Sequence, residues 1–179
     1  MAHLARTRVH RSLVTTLISV ALLALVSACG MNAQTLQPYT PAEGVNANVG
    51  PTGNWVQVRN LMILAREDGG QGIVSASIVA TERDALTGVA GHPYKADDTE
   101  GTAFTVTLPD PVGLSADSLV VLTQRPQLIT VESPDLIVGG DAELTLTFSG
   151  VGDLTLRVPV VDGDQPDYAT ITPTPAPSS

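Results

Sequence analysis

Glu143–Phe148 (ELTLTF) and Asp153–Val158 (DLTLRV), joined by Ser149-Gly150-Val151-Gly152, decide the fold. In the first segment Leu144, Leu146 and Phe148 alternate with Thr145 and Thr147; in the second Leu154, Leu156 and Val158 alternate with Thr155 and Arg157. A period of two puts every apolar member on one face of an extended chain. The glycine-containing connector turns the chain back on itself, so the pattern predicts a β-hairpin with one face in a core.

Moving outward, the same kind of pattern recurs. It predicts strands over Trp55–Leu64, Gly72–Val79, Asp84–Val89, Thr102–Leu108, Ser118–Leu122 and Leu128–Glu132. Turn-forming clusters such as Asp68-Gly69-Gly70 and Gln124-Arg125-Pro126 separate several of them. No window carries the 3.6-residue apolar repeat of an amphipathic helix of useful length. Seven or eight short strands with Gly, Pro and Asp turns predict an all-β domain over residues 54–161, an antiparallel Greek-key β-sandwich of cupredoxin-like or Ig-like kind.

Composition agrees with this. Hydrophobic residues are 43% of the 179, enough for one core, while charged residues are only 15% and aromatics 3%. The first 28 residues hold three basic groups and no acid, so the rest has six basic against 18 acidic residues, a formal charge of −12. Nucleic acid and anionic lipid headgroups are recognised by clustered Lys and Arg, so neither is an expected partner.

The beginning of the chain reads as an export signal. Basic Arg6, Arg8 and Arg11 precede the uncharged run Leu13–Val26, 14 residues long, which is short for a membrane span but suits a signal-peptide core. Val26-Ser27-Ala28-Cys29 follows, with small residues before the only cysteine of the chain. This segment resembles the lipobox of bacterial lipoproteins. The resemblance implies cleavage before Cys29, a diacylglyceryl group on its sulfur and an acyl group on its freed amine. The expected location is the outer face of the cytoplasmic membrane, in the cell envelope. Residues 29–53, rich in Asn, Gln, Thr, Pro, Ala and Gly, read as the lipidated cysteine and a flexible tether; residues 162–179 read as a disordered Pro/Thr-rich tail.

Another resemblance rests on Ile137–Val161 (IVGGDAELTLTFSGVGDLTLRVPVV) and on Asp84-Ala85-Leu86-Thr87-Gly88-Val89. The longer segment is similar to the C-terminal hairpin of the PCuAC copper chaperone domain, and the shorter one resembles that family's early Asp-x-Leu-x-Gly stretch. The layout as a whole resembles the small actinobacterial LpqE-type lipoproteins, relatives of that domain. The resemblance implies a β-sandwich and a Cu(I) site built from His and Met, soft donors suited to that ion. The family's His and Met fall near Gln127 and Ile129 here, and neither can serve.

The remaining soft donors are few. After Cys29 the chain holds one histidine, His92, and two methionines, Met31 in the tether and Met62 in the apolar run LMIL. His92 and Met62 are the one alternative ligand pair, and copper is not an expected cofactor. No Gly-x-Ser-x-Gly, Ser-x-x-Lys, phosphate-loop or paired-cysteine motif occurs, so no enzyme is expected. Asp162-Gly163-Asp164 with Asp167, and Asp97-Asp98-Thr99-Glu100, lack the spacing of a calcium loop and read as solvated turns. The expected function is a membrane-anchored, non-enzymatic interaction or accessory module of the envelope with a protein partner. The alternatives are a metallochaperone with a non-standard site and a small-ligand carrier.

Overall fold

The computed structural model describes residues 43–66 and 70–171. The leader, Cys29 and the greater part of the tether lie outside these residues, as do residues 172–179 of the tail.

The described chain is all-β, and its helical content is a single 3-10 turn at Leu122–Gln124. Ten strands follow in order: β1 Val45–Val49, β2 Val56–Ala65, β3 Gln71–Ala80, β4 Asp84–Pro93, β5 Thr105–Thr107, β6 Val112–Leu114, β7 Leu119–Val121, β8 Thr130–Glu132, β9 Asp141–Phe148 and β10 Gly152–Asp162. The expected hairpin is β9–β10, with Leu146 opposite Leu154 and Leu144 opposite Leu156. Ala142, Leu144, Leu146 and Phe148 are all buried, while the threonines between them face outward.

The ten strands form one continuous curled sheet with two arms joined through β10. One has the order β5-β8-β3-β2, with β7 also on β3 and β1 also on β2; the other runs β10-β9-β4-β6. β10 belongs to both. Gly152–Pro159 pairs antiparallel with β9, and Val160–Asp162 pairs parallel with β2. Pro159 stands at the change of partner, where a residue without an N–H interrupts a ladder at least cost. The all-β sandwich is as expected, but its pairing is mixed, and the β10–β2 pair corrects the purely antiparallel expectation. Strand periodicity reports which face is buried and carries no information on the direction of the neighbour.

β2 contains the feature that positions both sides of its sheet. Before Asn60 the inward residues are Val56 and Val58; after it they are Leu61, Ile63 and Ala65. Asn60 has φ +53° and the β2–β3 register shifts between Arg59 and Met62, which marks a β-bulge. One inserted residue moves the inward face from even to odd positions, and alternation then divides the LMIL run between the two faces of the sheet. Leu61 and Ile63 enter the main core; Met62 and Leu64 point to the opposite face and form a second cluster with Ile73 and Val161.

Two boundaries differ from the sequence reading. Val45–Val49, inside the segment read as tether, is a strand on β2. Its apolar residues are only half-buried, and polar contacts hold it: Arg59 Nη1 donates to the Ala47 carbonyl at 2.8 Å, and the Asn60 N–H donates to Asn46 Oδ1 at 2.8 Å. At the other end, residues 163–171 fold back over the outer face of the sheet. Tyr168 and Ile171 pack on the Met62 cluster, and the Tyr168 hydroxyl meets Glu43 Oε2 at 3.2 Å. Strand extents differ too: β4 continues to Pro93, β5 is only three residues, β6 is additional, and Trp55 is half-buried just before β2.

Candidate functional site

Polar side chains gather where β4 ends and β9 begins. Gly91 makes the approach possible: a Cβ there would lie 1.9 Å from the Glu143 carbonyl oxygen. His92 then stands opposite Glu143 in the β4–β9 register. Tyr94 follows two residues later on the same side of the strand, and its ring meets the His92 ring edge-on at 5.1 Å between centroids. The Tyr94 hydroxyl lies 3.4 Å from Glu143 Oε2. Arg157, from β10, lies over the other ring face, its guanidinium carbon 4.3 Å from the Tyr94 centroid.

Arg157 is also the electrostatic hub. It reaches Asp98 at 2.6 Å and Asp141 at 3.0 Å. Its hydrogen bond to Asp98, aided by the one to Asp141, outweighs burial and holds its pKa above the usual range. Burial and the neighbouring Glu143 carboxylate push the Tyr94 phenol up, so it stays neutral. Asp97 sits below the ordinary carboxylate range because the Thr99 hydroxyl and N–H donate to it; Asp135 does so because the Thr102 N–H and hydroxyl donate to it. These acids stiffen the loop between β4 and β5.

Among the described residues His92 has one ion-pair contact, Glu100. Its Nε2 is buried without a hydrogen-bond partner, and Glu100 Oε1 lies 4.0 Å away. No hydroxyl is hydrogen-bonded to this nitrogen. Met62 lies in another setting, enclosed by Leu64, Ile73 and Val161 beneath Tyr168. His92 belongs to the β4–β9 sheet and Met62 to the β2–β3 sheet; none of these neighbours is shared. Among the described residues no group of three or more His, Cys, Asp or Glu side chains is arranged to hold a metal ion. Ile129 is 1% exposed in the main core, with its carbonyl accepting from the Val74 N–H at 2.9 Å, and Gln127 is exposed.

A cleft of about 350 Å³ lies between the 123–128 loop and the returning C-terminal segment. Arg125 and Thr123 stand on one wall, Asp167 and Thr170 on the other, with Leu128 and Ile171 between them. Its charges are balanced and its apolar surface is small, which gives it little to select a ligand with.

One charged residue that sequence patterning does not mark as a site proves central to the fold. Asp84, 7% exposed, starts β4 and receives four donors from its own backbone and from the β9–β10 turn. Its Oδ1 accepts from the Ala85 N–H, the Ser149 hydroxyl and the Gly150 N–H, each at 2.7 Å; Oδ2 accepts from the Val151 N–H at 3.1 Å. Burial pushes the carboxyl up, but these hydrogen bonds outweigh it and hold the pKa below the usual range. The aspartate of the Asp-x-Leu-x-Gly stretch thus ties the hairpin to the neighbouring strand.

No family model matches the chain, and no curated protein does. Among solved structures it is similar to a copper-bound PCuAC domain from PmoF2, with 21% identity, 66% of this chain and 98% of that chain covered, and a TM-score of 0.47. An apo PCuAC domain from PmoF1 is similar at 20% identity, with 66% and 98% covered and a TM-score of 0.46. The apo PmoF2 PCuAC domain follows at 18% identity, with 66% and 97% covered and a TM-score of 0.43.

Proposed function

We propose that this chain is a lipid-anchored accessory module of the cell envelope, acting through surface contacts with a protein partner rather than by catalysis or copper transfer. One observation carries the copper half of this reading. The two soft donors of the mature sequence that fall within the described residues, His92 and Met62, occupy separate environments on different sheets. Cu(I) is held by two to four soft donors converging on one point, and the positions where the sequence resemblance would place ligands carry Gln127 and Ile129. The lipobox-like Val26-Ser27-Ala28-Cys29 supports the anchor.

The test is competition between the purified protein and a strong Cu(I) chelator under anaerobic reducing conditions. The reading expects the chelator to retain the copper. A stoichiometric site that resists the chelator and is weakened by both His92→Ala and Met62→Leu would replace this reading with that of a metallochaperone.

A further inference from the structure

Among the described residues, His92 Nε2 is the only buried side-chain nitrogen or oxygen without a hydrogen-bond partner. Its environment points to a use. The chain from Tyr94 to Gly101 is a tight loop: Tyr94 bridges to Glu100, the Lys95 N–H donates to the Thr99 carbonyl at 2.9 Å, and the Gly101 N–H donates to the Pro93 carbonyl at 2.7 Å. Asp98, with φ +62°, is at the bend and is fastened to Arg157 of β10. Glu100 lies on the side of the loop facing β4. Its side chain is 77% exposed, and His92 is its only ion-pair partner among the described residues.

We propose that His92 and Glu100 form an acid-dependent latch that fastens the Tyr94–Gly101 loop to the end of β4. When the imidazole is neutral, Nε2 either holds a lone pair that meets no donor or carries an N–H facing a carboxylate 4.0 Å away, beyond hydrogen-bond range. When it is protonated, Nε2 always carries an N–H, and a small rotation of the exposed Glu100 side chain makes a charge-assisted bond, stronger than the same rotation gives the neutral Nε2–H tautomer. Charged and titratable groups stand on the elements around the loop. Just after β4 there is Tyr94; from β9, Glu143 and Asp141; from β10, Arg157; from the loop, Lys95, Asp97, Asp98 and Glu100; and from the segment after β8, Asp135. Of the two cations, Arg157 is already engaged by Asp98 and Asp141. Among side-chain types, only imidazole ordinarily changes charge between pH 8 and pH 5. The loop therefore has backbone bonds and the Asp98–Arg157 pair as standing fastenings, and acid adds one more. This holds whether or not the chain is anchored to a membrane.

The experiment is hydrogen exchange with mass-spectrometric readout on the full chain at pH 8 and pH 5, using protection factors corrected for the intrinsic pH dependence of exchange. Peptides spanning Tyr94–Gly101 are expected to gain about two- to five-fold protection at pH 5, the range of a partly exposed ion pair. Glu100→Gln, at an exposed side chain, should abolish the gain while leaving β9 and β10 protected as in the wild type. His92→Gln should do the same. Asp98→Asn should lower protection at both pH values and keep the gain. Protection that does not change with pH in the wild type, or a gain that survives Glu100→Gln, overturns the latch.

Discussion

Asp84→Asn is the sharpest probe of how this sandwich is held together. The wild-type carboxylate accepts four hydrogen bonds, three on Oδ1 and one on Oδ2, in a setting where only 7% of the residue is exposed. The amide keeps the shape and one acceptor oxygen. If that oxygen takes the Oδ1 position, the NH₂ group faces the Val151 N–H, donor against donor, and the three other bonds lose their charge. A hydrogen bond to a charged group contributes about 1.5–3 kcal/mol, against about 0.5–1.5 kcal/mol for a neutral pair. Losing one bond and weakening three, with partial compensation because such terms are not additive, gives a loss of about 2–3 kcal/mol. Asp84→Ala removes all four hydrogen bonds and should lose about 3–4 kcal/mol. Urea unfolding followed by tryptophan fluorescence measures this. With a slope of about 1–3 kcal/mol per molar, the Asn variant should unfold roughly 1–2 M earlier. The pH dependence has a defined sign. Because the folded pKa lies below that of an unfolded aspartate, about 3.9, this stabilisation is complete above that value and is lost as the pH falls through the folded pKa. Acid unfolding of the wild type should therefore include a component that Asp84→Asn lacks. An Asn variant within about 0.5 kcal/mol of wild type, with the same acid dependence, would refute the role given to this carboxylate.

Leu146→Asp places a charge where exposure is zero, on the inward face of β9, and should leave the domain unfolded by circular dichroism, since an unpaired buried carboxylate costs several kcal/mol. Tyr168→Ala should lower stability in urea by about 1–2 kcal/mol and increase binding of a hydrophobic dye, because it uncovers Met62, Leu64 and Ile73. Arg157→Ala should cost at most about 1 kcal/mol, as expected of a half-exposed ion pair, but should change the near-ultraviolet tyrosine signal by removing the cation from the Tyr94 ring. Cys29→Ala should prevent incorporation of a labelled lipid precursor in cells, and equal labelling of both forms would remove the proposed anchor.

The sequence by itself determined the class of the domain and the faces of its clearest strands. The inward Leu144, Leu146 and Phe148 and the outward Thr145 and Thr147 follow from the residue pattern alone, because inward and outward positions in a strand differ only by alternation, a local property. The scarcity of soft donors was legible in the same way, since it is a matter of counting residues. The tertiary structure decided what depends on neighbours distant in the chain. The bulge at Asn60 decided which half of the alternating run LMIL meets the main core: Leu61 and Ile63 enter it, and Met62 and Leu64 take the opposite face. β10 left β9 for a parallel place beside β2, a choice set by where the chain returns and not by its alternation. β1 is a strand because Arg59, Asn60 and the edge of β2 hold it, although its own residues read as a linker. His92 acquired its surroundings in the same manner: Glu143, Arg157 and Glu100 lie 51, 65 and eight positions away, and only the pairing of β4 with β9 and β10 with β9 brings the first two to it.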